Sequence, residues 1–452
     1  MENQNIGNEA TEGPAKKQKV EDPSHDATVT LANNSNDKIR YHVLILGASY
    51  GSLLSSKLLL AGHSVTLVCR QATAALLNEK GSIVRIPIKK VGPEPLPNNL
   101  PDKVELRSSE LQQITGGVLR AMTPETVLTN ADTVTNYDLV VLAMQEPQYG
   151  ADNVRPLMER IANAKLPVMA ITNMPILPYL ARIPKIQSLL NEDDDSTDKD
   201  ALSGCFAHPD LWKIFDPSLV TQASPDPQAV RPPDEPPNVL VVNLASNFKC
   251  APFAHDQHTQ MLQQLEQDIL NARFQWTDPS SPSSQPIPIQ VRVQLRISTS
   301  LFVPMAKWAM LLTGNYRCIK PYPDPPVAIR DVVCGSPSVD DNDDDQTHAI
   351  TKASSQAVYE WVIRTCVKYG AQPNDFVPFD KYHAAAQSLI HPSSAARALA
   401  DNNATQIERI DQLICVLARH MGTETKCCTR IVAIVDEWLR QNRNKATQVK
   451  PS

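Results

Sequence analysis

The feature that most constrains the fold is a stretch of about 30 residues in which strand, glycine turn, helix and second strand follow one another. The segment 42–46 reads HVLIL, a β-branched apolar run typical of a parallel strand that is buried on both faces. The turn GASYGS follows, and after it comes a segment of helical length that Gly62 is placed to end. The segment 64–70, SVTLVCR, predicts the second strand. Residues 42–70 therefore have the order and size of a βαβ crossover.

The rest of the N-terminal half repeats this alternation of apolar strands and helices. A helical pattern over 154–164 separates two apolar strand patterns, 138–144 and 168–172. Alternation of this kind predicts a doubly wound sheet of parallel strands with helices on both faces. The predicted strands are 82–86, 118–122, 126–129, 138–144 and 168–172.

The character of the chain changes near residue 186, where an acidic run and proline-dense stretches begin. Beyond these the chain is mostly helical, with predicted helices at 300–312, 351–369, 379–389, 395–421 and 430–440. The predicted fold is α/β, with an N-terminal Rossmann-type doubly wound parallel sheet followed by an all-helical C-terminal domain. The predicted parts are a disordered tail at 1–38, a Rossmann-type domain at 39–294 with an inserted segment at about 186–238, and a helical domain at 295–452.

Composition excludes several classes of partner. The net charge is −6 and the pI is near 6.0, so no basic surface for nucleic acid or an anionic membrane is implied. The chain contains no run of 18 apolar residues, the length needed for a transmembrane helix. Nine cysteines without a C-x-x-C pair indicate reduced thiols. We predict a cytoplasmic protein; Lys16, Lys17 and Lys19 could form a nuclear-import signal, but a solvated tail explains them equally well.

The turn GASYGS has the composition of a phosphate-binding loop. A glycine turn between a buried strand and a helix lets backbone N–H groups approach a pyrophosphate, whose charge the helix N-terminus stabilises. Gly47, Ser49, Gly51 and Ser52 are the candidate residues. The string is one residue shorter than G-x-G-x-x-G, and a tight turn without a ligand is the structural alternative.

The end of the second strand bears on which dinucleotide would bind. An acidic residue there usually takes the ribose hydroxyls of NAD, whereas an arginine suits the 2′-phosphate of NADP. Arg70 ends this strand, which favours NADPH as the cofactor over NADH. A solvated arginine at a strand end is the alternative reading.

Four segments resemble the ketopantoate reductase (2-dehydropantoate 2-reductase) family and follow its order along the chain. They are GASYGSLLSSKLLLAGHSVTLVCR, DLVVLAMQEPQY, FVPMAKWAMLLTGNY and HPSSAARALADNNATQIERIDQLICVLARHMG. The resemblance implies a Rossmann domain, a helical C-terminal domain like that of 6-phosphogluconate dehydrogenase, and hydride transfer from NADPH to the carbonyl of a 2-oxo acid. It further implies Lys307 as general acid, and Asn173, Asn315 and Ser394 as substrate-binding residues. The sequence leaves the oligomeric state open, with a homodimer as one alternative.

The sequence departs from the family at three positions that would line the pocket. The family lysine after the strand 138–144 is Gln145, an asparagine between Lys307 and Asn315 is Leu311, and a glutamate is Gln406. Glu408 stands two residues further on. Because buried polar groups discriminate strongly between substrates, these changes put ketopantoate itself in doubt as the substrate.

The sequence therefore predicts an NADPH-dependent oxidoreductase acting on a 2-oxo acid or a related small molecule. Two alternatives stay open: a non-catalytic NADP(H)-binding regulator that has lost substrate residues, and an opine-dehydrogenase-like enzyme that condenses an amine with an oxo acid. No metal site is predicted, because the histidines form no H-E-x-x-H motif and DDNDDD lacks the glycine and terminal glutamate of an EF-hand loop.

Overall fold

A computed structural model describes residues 39–90, 97–129, 134–190, 201–281, 284–335 and 351–449. Contacts between backbone positions group Arg40–Ser452 into one unit. The tail 1–38 with its lysine cluster and the acidic runs at 191–200 and 340–345 lie outside the described residues. The boundary between 294 and 295 stays a prediction.

Fourteen strands are present in the described part of the chain. In chain order they are β1 (His42–Leu46), β2 (Ser64–Val68), β3 (Ile83–Pro87), β4 (Lys103–Arg107), β5 (Leu119–Met122), β6 (Leu139–Leu142), β7 (Val168–Ala170), β8 (Val220–Ser224), β9 (Gln228–Val230), β10 (Val239–Leu244), β11 (Phe248–Cys250), β12 (Phe274–Trp276), β13 (Ile287–Ile289) and β14 (Leu295–Ile297).

The main sheet has eight strands in the order β14-β11-β8-β7-β6-β1-β2-β5. Six neighbouring strands of this sheet, β5, β2, β1, β6, β7 and β8 in spatial order, are mutually parallel. Their order is that of a Rossmann sheet, 3-2-1-4-5-6. β11 runs antiparallel to β8, and β14 is parallel to β11. The predicted Rossmann-type doubly wound sheet is confirmed. Its strand order reverses between β1 and β6, which is where such sheets bind ligands.

Alternate residues of the central strands supply two separate hydrophobic cores. In β1, Val43 and Ile45 belong to one core, whereas Leu44 and Leu46 belong to the other, and all four are fully buried. Because successive side chains of a strand point to opposite faces, this division shows that both faces of the sheet are covered. The apolar run HVLIL is explained by this position at the centre of the sheet.

Helices cover both faces of the main sheet. The two longest described α-helices before residue 297, Ala48–Leu60 and Asp256–Asn271, pack against the face that Val43 and Ile45 bury, with Leu53, Leu58 and Leu262 in the same core. In the described residues up to 297, the α-helices are Ala48–Leu60, Gln71–Lys80, Ser108–Thr115, Pro124–Thr129, Arg155–Asn163, Leu177–Leu180, Pro184–Leu190, Pro209–Trp212 and Asp256–Asn271.

One predicted strand is wrong. Residues 126–129 belong to the helix Pro124–Thr129, although threonine and valine favour strands. Pro124 occupies the first helical position and Glu125 the first turn, a favourable start for a helix.

A second sheet, which the sequence analysis did not predict, has the order β4-β3-β10-β9. β3 pairs in parallel with β10 and antiparallel with β4, and β9 pairs antiparallel with β10. The apolar side chains of β3 and β10, such as Ile86 and Leu240, join the core that contains the Ala48–Leu60 helix. β12 and β13 form a separate hairpin.

The segment predicted as an insertion, about 186–238, includes a strand of the main sheet. β8 reads VTQAS, and all five of its residues are buried. Its polar side chains donate hydrogen bonds internally: the Thr221 hydroxyl donates to Ala251 O over 2.7 Å, and the Gln222 NH2 group donates to Thr172 O over 2.9 Å. The strand was missed because internal hydrogen bonds, rather than apolar side chains, make its burial tolerable.

From Val303 onward, every regular element of the described residues is helical, which confirms a helical C-terminal part. The region predicted as the helix 300–312 is a succession of a 3₁₀ turn (Val303–Lys307), one α-helical turn (Trp308–Met310) and a π-helical turn (Leu311–Tyr316). The other α-helices are Ile329–Cys334, Lys352–Tyr369, Phe379–Ala386, Ser394–Ala400, Ile410–His420 and Lys426–Val449. None of the described helices is both long enough and apolar enough to cross a membrane.

The predicted helix 395–421 is two helices, Ser394–Ala400 and Ile410–His420. Asn403, with φ of 48°, takes the left-handed conformation that ends the first helix. The buried Asn442 amide donates to Leu399 O and Ala404 O, which satisfies carbonyls at this break. The connection from 401 to 409 is thereby free to carry Glu408 toward the main sheet.

The close packing of the first helix against β1 makes a stability prediction. A Cβ atom at Gly51 would lie 2.6 Å from Cγ2 of Ile45, which is fully buried. We expect Gly51→Val to lower the free energy of unfolding by about 2 kcal/mol or more, because overpacking of a core costs about 1–3 kcal/mol. Urea denaturation measures the change. Ser49→Val, at an exposed position of the same helix, is the control and should change stability by less than about 1 kcal/mol; equal losses in both variants would contradict this packing.

Candidate active site

Gly47 holds β1 and β6 close together at the carboxyl edge of the main sheet. Its φ is +108°, and a Cβ atom there would lie 2.7 Å from Met144 Cγ and 2.8 Å from Ala143 O. Any other residue would be strained in its backbone and would collide with the end of β6. The turn thus brings bare backbone to the place where the strand order reverses.

The helix Ala48–Leu60 begins in this turn without a side-chain cap. The N–H groups of a first helical turn have no partner within the helix and carry the positive end of its dipole. Ser49 is exposed there, whereas Ser52 is buried and its hydroxyl donates to Ala48 O. The turn therefore fits a phosphate group, with Ser49 rather than the Ser52 hydroxyl facing outward.

Two arginines lie near the end of β2. Arg70 is exposed and directly precedes the Gln71–Lys80 helix, and Arg231 follows β9 and is partly buried. Burial and the nearby Arg70 charge both lower the pKa of Arg231. Neither guanidinium forms an ion pair with an acidic side chain among the described residues. An anion between them would relieve this repulsion.

Glu408 connects the helical part of the chain to the carboxyl ends of β6 and β7. Its side chain accepts hydrogen bonds from the Asn173 amide and from the backbone N–H of Glu146, each over 3.4 Å. Burial raises the pKa of Glu408 to about 7, although the Asn173 hydrogen bond opposes the shift. Glu408 is therefore the acid that lies beside the predicted Asn173, whereas Gln406 is exposed.

Glu146 is a second buried acid at this edge. Its carboxylate accepts hydrogen bonds from the Trp212 indole over 2.8 Å and from the Ala207 N–H over 3.2 Å. Burial raises the pKa of Glu146, and the Trp212 hydrogen bond opposes that shift. Trp212 belongs to the segment between β7 and β8, so this segment helps to build the edge.

Lys307 lies at the end of β8, where only 18% of its side chain is exposed. Its ammonium donates to Pro225 O and lies 3.5 Å from the Asp226 carboxylate. Burial lowers the pKa of Lys307, and the charge of Asp226 opposes that change. An amine in this environment can exchange a proton more readily than one in water.

The remaining predicted residues do not all converge on Lys307. Asn315 is partly buried, and its backbone carbonyl accepts the Ser393 hydroxyl over 2.7 Å; Ser394 is exposed at the start of the next helix. In the described part of the chain, no hydrogen bond joins Lys307 to Asn173, Asn315 or Ser394. The structure brings together Asn173 with Glu408, and Lys307 with Asp226.

The positions that differ from the resembled family have separate environments. Gln145 is exposed, and its backbone N–H donates to the Gln148 side chain over 3.0 Å at the start of the Glu146–Gly150 turn. Leu311 is 7% exposed and packs in the core of the helical part. Sequence reasoning named Glu408 only as a neighbour of Gln406. It did not find Asp226, Arg231 or Glu146, which carry no local signal.

Comparison with known proteins supports the fold. No family model matches the chain, and no curated protein matches it in sequence. Among solved structures, a protein from Ralstonia solanacearum MolK2 assigned as a ketopantoate reductase is similar with a TM-score of 0.55 at 12% identity, over 89% of this chain and 98% of that chain.

Two further solved structures align over similar lengths. A ketopantoate reductase from Ralstonia eutropha JMP134 has a TM-score of 0.47 at 13% identity, over 89% of this chain and 99% of that one. A 2-dehydropantoate 2-reductase from Methylococcus capsulatus has a TM-score of 0.47 at 10% identity, over 91% and 98%. The predicted resemblance to ketopantoate reductases is confirmed at the level of the fold.

The raised pKa of Glu408 predicts how stability depends on pH. Because its pKa is about 7 in the folded state and 4.5 ordinarily, the folded state binds the proton more tightly, and stability is lost as pH rises from 4.5 through 7. We expect Glu408→Gln to remove this loss. From pH 5 to pH 8, the free energy of unfolding of wild type should therefore fall by about 2 kcal/mol more than that of the variant. Urea denaturation at both pH values measures it.

The control for this experiment is Glu79→Gln, which changes an exposed glutamate in the same way. We expect it to leave the pH dependence unchanged. A pH dependence in Glu408→Gln that is identical to that of wild type would mean that folding does not raise the pKa of Glu408.

Proposed function

We propose that this chain is an NADPH-dependent oxidoreductase that reduces the carbonyl group of a 2-oxo acid or a related small molecule, in the manner of ketopantoate reductases. The proposal depends on one observation: two features lie along the same edge of the main sheet. One is the uncapped glycine turn, at the point where the strand order reverses, and the other is the largely buried Lys307. The fold similarity supports the same class of oxidoreductase.

The glycine turn is the proposed dinucleotide site. Gly47 permits close backbone approach, and Ser49 and the first helical turn would hold the pyrophosphate. The predicted contacts of Gly51 and Ser52 are withdrawn, because Gly51 packs against Ile45 and the buried Ser52 hydroxyl donates to Ala48 O. Arg70, with Arg231 beside it, would hold the 2′-phosphate. The reduced nicotinamide, when bound, supplies the hydride.

Lys307 is the proposed general acid. Reduction of a carbonyl develops negative charge on oxygen, so a positioned proton donor lowers the barrier. Loss of that proton would leave Lys307 as a neutral amine. Burial of the side chain favours this neutral form. Asn173, Asn315 and Ser394 would orient the substrate, with Glu408 fixing the Asn173 amide.

One observation favours a second candidate, a non-catalytic NADP(H)-binding regulator. The Lys307 ammonium already has two partners within the chain, Pro225 O and Asp226, and so its hydrogen bonds do not require a substrate. A regulator would bind the dinucleotide and leave it unreacted.

A binding titration followed by a substrate screen decides between the candidates. NADPH and NADH are titrated by fluorescence, and NADPH oxidation is then followed with a panel of 2-oxo acids, each with and without added amines. Oxidation with an oxo acid alone supports the reductase, and oxidation only with both partners supports an opine-dehydrogenase-like enzyme. Binding without oxidation supports the regulator, and failure to bind either nucleotide would remove all three.

The role of Lys307 makes a prediction about turnover. We expect Lys307→Ala to lower kcat by two to four orders of magnitude, because general acid catalysis contributes about 10²–10⁴-fold. NADPH affinity, measured by fluorescence titration, should stay within about threefold, since the lysine is not placed at the phosphates. Lys103→Ala is the control: it removes an exposed lysine of β4, in the second sheet, and should leave kcat nearly unchanged. Unchanged turnover in Lys307→Ala would refute the assigned role.

The arginine pair makes a prediction about cofactor choice. We expect Arg70→Ala and Arg231→Ala each to weaken NADPH binding by about 10–100-fold and to leave NADH binding unchanged, because a charge-assisted hydrogen bond contributes about 1.5–3 kcal/mol. Fluorescence titration measures both affinities. Arg120→Ala is the control, since this exposed arginine lies toward His42 and Tyr137 at the opposite edge of the sheet. Equal losses for both nucleotides would place the arginines elsewhere than at the 2′-phosphate.

A further inference from the structure

The segment Ser224–Pro227, which begins with the last residue of β8, connects the two halves of the candidate site. Its sequence is Ser-Pro-Asp-Pro. The Pro225 carbonyl accepts a hydrogen bond from Lys307, and the Pro227 carbonyl accepts one from the Tyr50 hydroxyl over 2.6 Å. Tyr50 belongs to the glycine turn GASYGS, so the segment spans from the proposed dinucleotide site to the proposed general acid.

The two prolines make this segment stiff. Each fixes its own φ near −65° and also restricts the residue before it. Asp226, between them, is held further by its own backbone N–H, which donates to Ser224 O over 2.9 Å, and by its carboxylate, which accepts the Ser224 hydroxyl over 2.5 Å. Ser224 therefore holds the Asp226 carboxylate in place from its own segment, in addition to the contact with Lys307.

The charged groups around Lys307 come from three packed elements. Asp226 follows β8 and lies 3.5 Å from the Lys307 ammonium; Lys249 of β11 lies 4.0 Å from the other carboxylate oxygen. Tyr50 faces Asp226 from the first helix, and burial and the Asp226 charge keep its pKa well above the ordinary value. The cluster thus contains two lysines, one carboxyl group and one phenol.

Burial acts against the charge of Lys307. Lys307 and Asp226 each expose 18% of their side chains, and loss of water disfavours an ammonium ion. An opposite charge within about 4–6 Å favours the charged form and moves a pKa by about 1–3 units. Asp226 is the one carboxylate that forms an ion pair with Lys307 among the described residues.

From this geometry we propose that Asp226 is a positioning residue, which fixes the Lys307 amine at the end of β8 and keeps it protonated so that it can donate a proton. The catalytic meaning of this role rests on the proposed function. The electrostatic part does not, because it can be measured on the protein without any substrate.

The first experiment measures protonation of Lys307 directly. Competitive acetylation of lysines across a pH series, read by mass spectrometry, gives the pH at which the Lys307 amine becomes reactive. We expect Asp226→Asn to lower that midpoint by at least about one unit, a tenfold increase in neutral amine at a given pH, and Asp226→Glu to restore most of it. Asp234→Asn, an exposed acid in the following connection, is the matched control and should not move the midpoint.

The second experiment measures the pH profile of kcat for NADPH oxidation with an active substrate from the screen. We expect the alkaline limb of the profile to move to lower pH in Asp226→Asn and to return toward wild type in Asp226→Glu. An unmoved acetylation midpoint in Asp226→Asn, in protein whose thermal unfolding is unchanged, would overturn the proposal. A moved midpoint in a protein that oxidises no NADPH would uphold the pairing and overturn the reductase function.

Discussion

The approach of Gly47 to the end of β6 is the constraint on which the candidate site depends. A side chain there would overlap Met144 and Ala143, so the first turn exists only with bare backbone at this point. Since β6, β7 and β8 are parallel, their carboxyl ends share the edge that this turn occupies. Glu146, Asn173 and Asp226 follow the ends of β6, β7 and β8 respectively, and the fold thereby places three polar side chains on one edge.

Desolvation acts in opposite directions on the two proton-carrying groups at this edge. It raises the pKa of Glu408 to about 7 and lowers the pKa of Lys307. Each group is partly compensated by a specific partner, Asn173 for Glu408 and Asp226 for Lys307. Burial thus moves both pKa values toward neutrality, which is the direction that acid–base chemistry requires.

The parts of the fold that were predictable are those whose apolar pattern reports burial directly. β1 and β6 are buried on both faces and read as uninterrupted apolar runs, and the order of the first crossover followed from them. β8 was not predictable, because its sequence VTQAS is polar although the strand is buried. Its polar side chains form hydrogen bonds with residues that are distant in the sequence. The break at Asn403 was missed because the carbonyls that it frees, at Leu399 and Ala404, are bonded by Asn442, which is distant in the sequence.

The candidate site shows the same division between local and distant signals. Gly47, Arg70 and Lys307 lie in motifs that can be read locally. Asp226 and Glu408 act through partners more than 80 positions away in the chain, Lys307 and Asn173 respectively. No sequence pattern reports such contacts, because the parallel sheet brings these residues together only after folding.

The charges along the edge also restrict how a substrate can lie. The Lys307 ammonium already has a carboxylate 3.5 Å away, and Gln145 stands where the resembled family carries a lysine. A substrate carboxylate about 4 Å from Asp226 would meet a repulsion of about 4 kcal/mol at an effective dielectric constant of about 20. In the proposed reduction, an uncharged carbonyl oxygen beside Lys307 would accept the proton without that cost. The proposed function therefore favours a substrate orientation with the carbonyl at Lys307 and any carboxylate directed away from Asp226.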